Sequence, residues 1–264
     1  MLGKLMKYEW MATWKLLLAA NLLTVVMTFL AGWMVHIMDY SSGRGMVEFV
    51  AVMVILTYVG SMFAVYVGTS IYLIYRFYTS TYGDQGYLLH TLPVDTHHII
   101  IAKMLVSALW MLINSALIYF SVIFLFASSE DIFVSMMEGM VNVFTFLGAE
   151  KISAFTIVMT IVAYIFSLFA KVLKVGACIS LGQLSANHKL MLSFAWYVGI
   201  YLVERIFQGI YFGLQLAFNV KASHMDYLFY YDSQWETTLI GGIISCVVFY
   251  VLTWYMMNQK LNLD

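Results

Sequence analysis

Residues 82–98 read YGDQGYLLHTLPVDTHH. Two glycines, the only proline of the chain, two aspartates and three histidines crowd into this stretch. The protein around it is 63% hydrophobic and 10% charged. On either side lie apolar runs, roughly residues 49–74 and 99–127, that outlast anything a soluble core requires. The hydrocarbon core of a bilayer is about 30 Å thick and takes roughly 20 apolar residues of helix to cross. The polar stretch is therefore a connector between two membrane spans.

Working outward, four more apolar runs reach that length. The six spans fall near 16–36, 49–74, 99–127, 152–175, 190–218 and 237–257. Together they give an all-α membrane protein, a six-span transmembrane helical bundle read as one domain over residues 1–264. Composition agrees. An ordinary soluble domain is about a quarter charged, whereas this chain has a mean hydropathy of +0.87 and too few charges to cover its surface in water. A net charge of −1 offers no electrostatic footprint for nucleic acid. Cys178 and Cys246 both sit in apolar runs, where thiols behave as small core residues and suggest neither a disulfide framework nor a metal site.

The basic residues set the expected orientation. With the N-terminus inside, Lys4, Lys7, Lys15, Arg76, Lys103, Lys171, Lys174, Lys189 and Lys260 fall on the cytoplasmic side, against Arg44, Lys151 and Lys221 outside. Both termini and the 82–98 connector are then cytoplasmic. Lys171 and Lys174 interrupt the fourth run and are expected to snorkel to the cytoplasmic interface. Residues 2–15 carry Leu2, Leu5, Met6, Trp10 and Trp14 toward one side and Lys4, Lys7 and Lys15 toward the other. That pattern fits an N-terminal interfacial helix anchored by tryptophan, or simply a basic terminus obeying the inside rule. The segment is too polar for a signal peptide, so the first run is expected to remain in the mature protein. A second surface helix is expected outside, over 130–149.

Motifs for chemistry are missing. The sequence contains no G-x-x-x-x-G-K-[ST], no H-E-x-x-H and no G-x-S-x-G. Adjacent His97 and His98 would point about 100° apart on a helix and make a poor joint metal site. No metal site is expected, and no catalytic residues. The spans lack proline, so proline-broken transporter helices are not indicated.

Within the connector, Asp84 is a suitable N-cap for a short helix from Gln85 to Leu92. Gly83 and Gly86 loosen the backbone around its start. Leu88, Leu89 and Leu92 share one face with Gln85 at its edge, while Asp84, Tyr87 and Thr91 share another. Pro93 disfavours helical geometry at Leu92 and ends the element. Asp95 or Thr96 can cap the next span. Two turns of helix are not stable alone in water, so a membrane surface or a partner protein must hold them.

A cytoplasmic GDQGYLLHTLPV between spans two and three, followed by a capped span carrying Lys103, resembles the permease subunits of type-2 ABC exporters. The six-span layout with both ends inside and an amphipathic N-terminal helix is similar too. The resemblance implies that the connector is a cytoplasmic coupling helix docking on a separate ATP-binding subunit. Tyr82, Gly83, Asp84, Gln85, Gly86, Tyr87, Leu88, Leu89, Thr91 and Leu92 would then face the ATPase, and Pro93 would set the turn into span three. It implies a dimer of permease subunits, identical or related, in the cytoplasmic membrane of a bacterium. ATP and Mg²⁺ would be held by the partner, with no cofactor in this chain. In that family substantial outer helices often lie between spans five and six, whereas here the longer outer loop follows span three.

Residues 195–215, AWYVGIYLVERIFQGIYFGLQ, carry the other polar signal. Tyr197, Tyr201, Glu204, Gln208, Tyr211 and Gln215 recur at alternating steps of four and three, along one helix face suited to a seam with another helix. Arg205 lies beside this stripe, one turn from Tyr201 and close to Gln208. A mid-membrane charge costs about 2.5–3.5 kcal/mol on insertion scales, so Glu204 and Arg205 should face protein or water, with partners on other helices. The stripe is either a set of interhelical contacts or the lining of a translocation path or dimer seam. Tyr58, Ser61, Thr69 and Tyr72 form a weaker counterpart in span two, and in the resembled family spans two and five flank the path. Gly209 and Gly213 form a G-x-x-x-G that permits close helix approach. The functional expectation is a transport subunit without its own ATPase, coupled through residues 82–92. The alternatives are a non-transporting scaffold or sensor subunit, and an ion-coupled transporter using Glu204.

Overall fold

The computed structural model describes residues 2–40, 45–83, 86, 95–127, 134, 154–184, 188–219 and 227–259. Six long helices account for nearly all of them: α1 (Leu2–Tyr40), α2 (Gly45–Thr81), α3 (Thr96–Ala127), α4 (Ala154–Gly182), α5 (Lys189–Asn219) and α6 (Tyr227–Gln259). Each is long and apolar enough to cross a membrane, and the chain is a multi-pass membrane protein. Helices are the natural outcome, because a backbone in lipid must satisfy its own N–H and C=O groups and no proline interrupts these runs. The surface helix expected over 130–149 lies outside the described residues except for Val134.

Helix limits differ from the sequence expectation where polar residues flank the apolar runs. Residues 2–15 are helical but continue without a break into the first span, so α1 is a single helix of 39 residues. Its apolar N-terminal side is partly used inside the protein. Trp10 stacks on Trp110 with ring centroids 4.6 Å apart, and Thr13 accepts a hydrogen bond from the Trp110 indole at 3.0 Å. Trp14 stays on the outside. Helix α2 runs past residue 74 to Thr81 and α4 past residue 175 to Gly182, because a few hydroxyls do not stop a helix.

The ends have specific causes. At the end of α2, Tyr82 N–H donates to the Tyr78 carbonyl at 2.8 Å and Gly86 N–H to the Gly83 carbonyl at 2.7 Å. A Cβ on Gly86 would press into the Thr81 carbonyl, so glycine is required there by close backbone approach. The sequence reading assigned this glycine a loosening role; its contacts show a tight turn instead. Asp95 stands just before α3, with its carbonyl accepting the His98 N–H at 3.0 Å. Between α4 and α5 the chain reverses through Gln183 and Leu184. There a Cβ on Gly182 would collide with Ser193 Oγ, and would lie 2.7 Å from the Lys189 carbonyl.

Within the 264 residues the chain divides into two compact units. One comprises Gly3–Tyr75 and Leu105–Lys151, built from α1 with most of α2 and α3. Its core gathers Leu17, Leu73, Val106 and Trp110, flanked by Met6, Trp10, Tyr72 and Met111. Nearer the far ends of the same helices, Ser121 Oγ pairs with Thr28 Oγ1 at 2.7 Å and with Tyr58 Oη at 2.6 Å. The other unit takes Arg76–Met104 and Ile152–Asp264. In it α4 packs along α6 and, less extensively, along α5. Its core joins Ile99, Ile100 and Met104 of α3 to Leu173 and Ala177 of α4 and to Phe249 and Met257 of α6. In lipid this packing gains van der Waals contact rather than escape from water.

Candidate functional site

Helix α5 is the least enclosed of the six. Of its most apolar stretch 6% is buried, against 17–33% in the other helices. It is also the helix that bears the charged stripe. Tyr197, Tyr201, Arg205, Gln208 and Tyr211 are all exposed, and Glu204 is half-buried. Gln215 lies in the helix, its side chain outside the description.

Glu204 is anchored by a partner on α4. Lys174 Nζ donates to Glu204 Oε2 at 2.7 Å and lies 5.5 Å from the Tyr197 ring centroid. The antiparallel α4–α5 hairpin, closed at Gly182 and Ser193, brings residue 174 opposite residues 197–204. Lys174 was expected to snorkel to the interface. It is instead 8% exposed, because a carboxylate and an aromatic face supply what water would have supplied. Lys171 is exposed.

Arg205 behaves differently. Its guanidinium lies 4.9 Å from the Tyr201 ring centroid and donates to Gln208 Oε1 at 2.9 Å. Both partners sit on α5 itself, so the expectation of a partner on another helix is met for Glu204 and not for Arg205. Among the described residues Arg205 has no ion-pair partner. Gly209 and Gly213 continue the face of Arg205 one and two turns on, and a Cβ at either would meet nothing within 4 Å. Along one side of a membrane-spanning helix, then, the single chain presents a cation, tyrosines, an amide and a small-residue step.

The span-two residues lie elsewhere. Tyr58 bonds to Ser121, Ser61 donates to the Tyr58 carbonyl at 2.7 Å, and Thr69 is 3% exposed. Tyr72 packs beside Leu17 and Trp110, its hydroxyl 3.4 Å from the Ala12 carbonyl. All four serve the interior of the α1–α3 unit.

The connector is described at its two ends. Tyr82 joins the core of the α4–α6 unit and donates from its hydroxyl to Ser180 Oγ at 2.7 Å, which in turn donates to the Gly176 carbonyl at 2.8 Å. Burial pushes the Tyr82 phenol up to about 12, offset in part by the Ser180 bond, so it stays a neutral donor. Gly83 and Gly86 make the turn. Asp84, Gln85, Tyr87, Leu88, Leu89, Thr91, Leu92 and Pro93 lie outside the described residues. On the far side His97 Nδ1 pairs with Tyr250 Oη at 2.6 Å, and its ring stacks on Trp254 at 5.3 Å. His97 thus ties the start of α3 to α6, and His98 turns to Asp95 at 3.6 Å. Buried Lys103 donates to Ser80 Oγ. Both ends of the connector are therefore fixed to helices by polar side chains.

Sequence reasoning singled out Glu204 and Arg205 but missed the Lys174 partner, and it left the His97–Tyr250–Trp254 stack unread. A lysine at the end of one apolar run, with a glutamate inside the next run, was the available signal for the first. Among the described residues no group of three histidine, cysteine, aspartate or glutamate side chains is placed to hold a metal. Comparison of the chain with protein-family models, with curated proteins and with solved structures found no match.

Proposed function

We propose that this chain is the permease subunit of an ATP-driven, ABC-type exporter in a bacterial cytoplasmic membrane. The observation that carries the reading is α5, a membrane-spanning helix whose charged and aromatic stripe stays exposed in the single chain. Exposed to lipid, Arg205 alone would cost about 2.5–3.5 kcal/mol. A second permease subunit, identical or related, covers this stripe, and the substrate passes along the seam. The Lys174–Glu204 pair holds α5 to α4 so that the two helices move together.

Energy comes from a separate ATP-binding subunit, which holds the ATP and Mg²⁺ and docks on residues 82–92. The anchored ends of that connector support this role. Tyr82 is hydrogen-bonded to α4 and His97 to α6, so a push on the connector reaches both helices directly. ATP binding draws the two ATPase subunits together, and the connectors transmit that movement to the helices of the seam.

The test is a mild-detergent pulldown from native membranes with mass spectrometry, run beside an Asp84→Ala, Leu88→Asp variant. The expected result is a stoichiometric soluble ATP-binding protein that is lost with the variant. Recovery of the chain with no such protein in several detergents would overturn the exporter reading. It would leave a non-transporting scaffold, or transport independent of an ATPase.

A further inference from the structure

The α1–α3 unit contains a polar layer that neither its packing nor the exporter reading uses. Asn21, Thr69 and Asn114 are 7%, 3% and 1% exposed. Both amide atoms of Asn21, both of Asn114 and the Thr69 hydroxyl are shut off from the surface and reach no hydrogen-bond partner among the described residues. The three residues come from three different helices, and contacts on either side bracket them. Leu17, Leu73 and Trp110 meet in the core of this unit. One helical turn along, on the same faces, stand Asn21, Thr69 and Asn114. Seven residues beyond Asn21 and Asn114 come Thr28 and Ser121, which are hydrogen-bonded to each other, and Tyr58 of α2 joins them. Asn21, Thr69 and Asn114 therefore occupy one level inside the unit, well within the span of each helix.

We infer that this level is a binding site for ordered water at membrane depth. Donor and acceptor chemistry selects the ligand. Each carboxamide offers an NH₂ donor and a carbonyl acceptor, and the Thr69 hydroxyl is both. A monovalent cation would satisfy only the oxygens and strand both NH₂ groups. An acyl chain would satisfy nothing. Water donates and accepts, and a buried water typically makes about three bonds to otherwise unpaired groups. The apolar layer at Leu17, Leu73 and Trp110 closes the site on one side, and the Thr28–Ser121–Tyr58 bonds bound it on the other. Helices joined through exchangeable water can shift against one another at this depth without opening their apolar layers.

The experiment is solid-state NMR of the full-length protein, labelled with ¹⁵N at asparagine side chains, in lipid bilayers in sodium buffer. Magnetisation is transferred from water protons to the carboxamides. Asn21→Leu and Asn114→Leu assign the two signals by their loss, and Asn21→Ser and Asn114→Ser assign them should a leucine variant fail to fold. The expected result is that both carboxamides gain magnetisation from water as fast as groups at the membrane surface. Transfer between the two amides with none from water would overturn the inference in favour of a dry side-chain contact. A shift of either signal when sodium is replaced by choline would overturn it in favour of a cation. This outcome is independent of the ATPase pulldown, so the two readings stand or fall separately.

Discussion

Removing either member of the Lys174–Glu204 pair should destabilise the protein more than removing both. The two charges lie 2.7 Å apart. At an effective dielectric of about 20 their attraction amounts to roughly 6 kcal/mol, most of it offset by the cost of taking both charges out of water. A fully buried pair broken on one side loses about 3–5 kcal/mol, because the remaining charge is stranded. Here the side chains are 10% and 32% exposed, so Glu204 keeps some screening and the expected loss falls to about 2–3 kcal/mol. Lys174→Met should be the more costly single change, since it leaves a carboxylate in apolar surroundings. Glu204→Met still leaves the ammonium beside the Tyr197 ring, worth about 0.5–2 kcal/mol. The double variant places two flexible thioethers side by side and should recover about 3 kcal/mol relative to the sum of the singles, which leaves it less destabilised than either. Unfolding in mixed micelles by titration with dodecyl sulfate, followed by tryptophan fluorescence, measures all four corners of the cycle. If the two single losses simply add to within about 0.5 kcal/mol, the pair is not coupled and the anchoring of α5 by α4 is wrong.

Gly182→Ala should cost about 1–3 kcal/mol in the same assay, because the new methyl meets Ser193 Oγ and the Lys189 carbonyl. Gly209→Ala, with open space around it, should be neutral or stabilising by up to about 1 kcal/mol in the isolated chain. Tyr82→Phe should cost about 0.5–1.5 kcal/mol, since Ser180 keeps its bond to Gly176; with the phenol near 12 in the native protein, that loss should not vary between pH 6 and 9. Arg205→Leu should leave the unfolding of the monomer within about 0.5 kcal/mol of the parent, yet weaken self-association or permease pairing at least tenfold by cross-linking in membranes. Unchanged pairing would remove Arg205 from the seam.

Much of the architecture was legible because membrane helices follow from two quantities, run length and the absence of breakers. Both are local, and all six spans were found from them. What was not legible depends on which face of each helix meets which neighbour. Trp10 and Trp14 look alike as interfacial anchors, yet Trp10 stacks on Trp110 while Trp14 stays outside. Lys174 reads as a snorkelling residue until the hairpin closed at Gly182 brings Glu204 alongside it. Tyr58, Ser61 and Thr69 resemble a path lining, but their neighbours on α1 and α3 turn that face inward. Thr13, Asn21, Thr24 and Thr28 recur along α1 at steps of eight, three and four, a buried polar seam written plainly in the sequence and passed over because each residue alone is unremarkable.

The buried polar residues of the α1–α3 unit and the polar stripe of α5 are disposed in opposite ways, and this bears on which face works at an interface. In the α1–α3 unit several hydroxyls and amides are turned inward: Thr13 to Trp110, Thr28 to Ser121, Asn21 and Asn114 buried without hydrogen-bond partners among the described residues. Its outer surface is left to residues such as Leu22, Val26 and Phe29, which suit lipid. On α5 the arrangement is reversed, with Tyr201, Arg205 and Gln208 outward and Gly209 and Gly213 open beside them. A helix that only needed lipid contact would have no use for a guanidinium there, and a helix finished by its own chain would have buried it. The α5 face is left exposed in the single chain, and on the proposed exporter reading the seam lies on α5 rather than along α2.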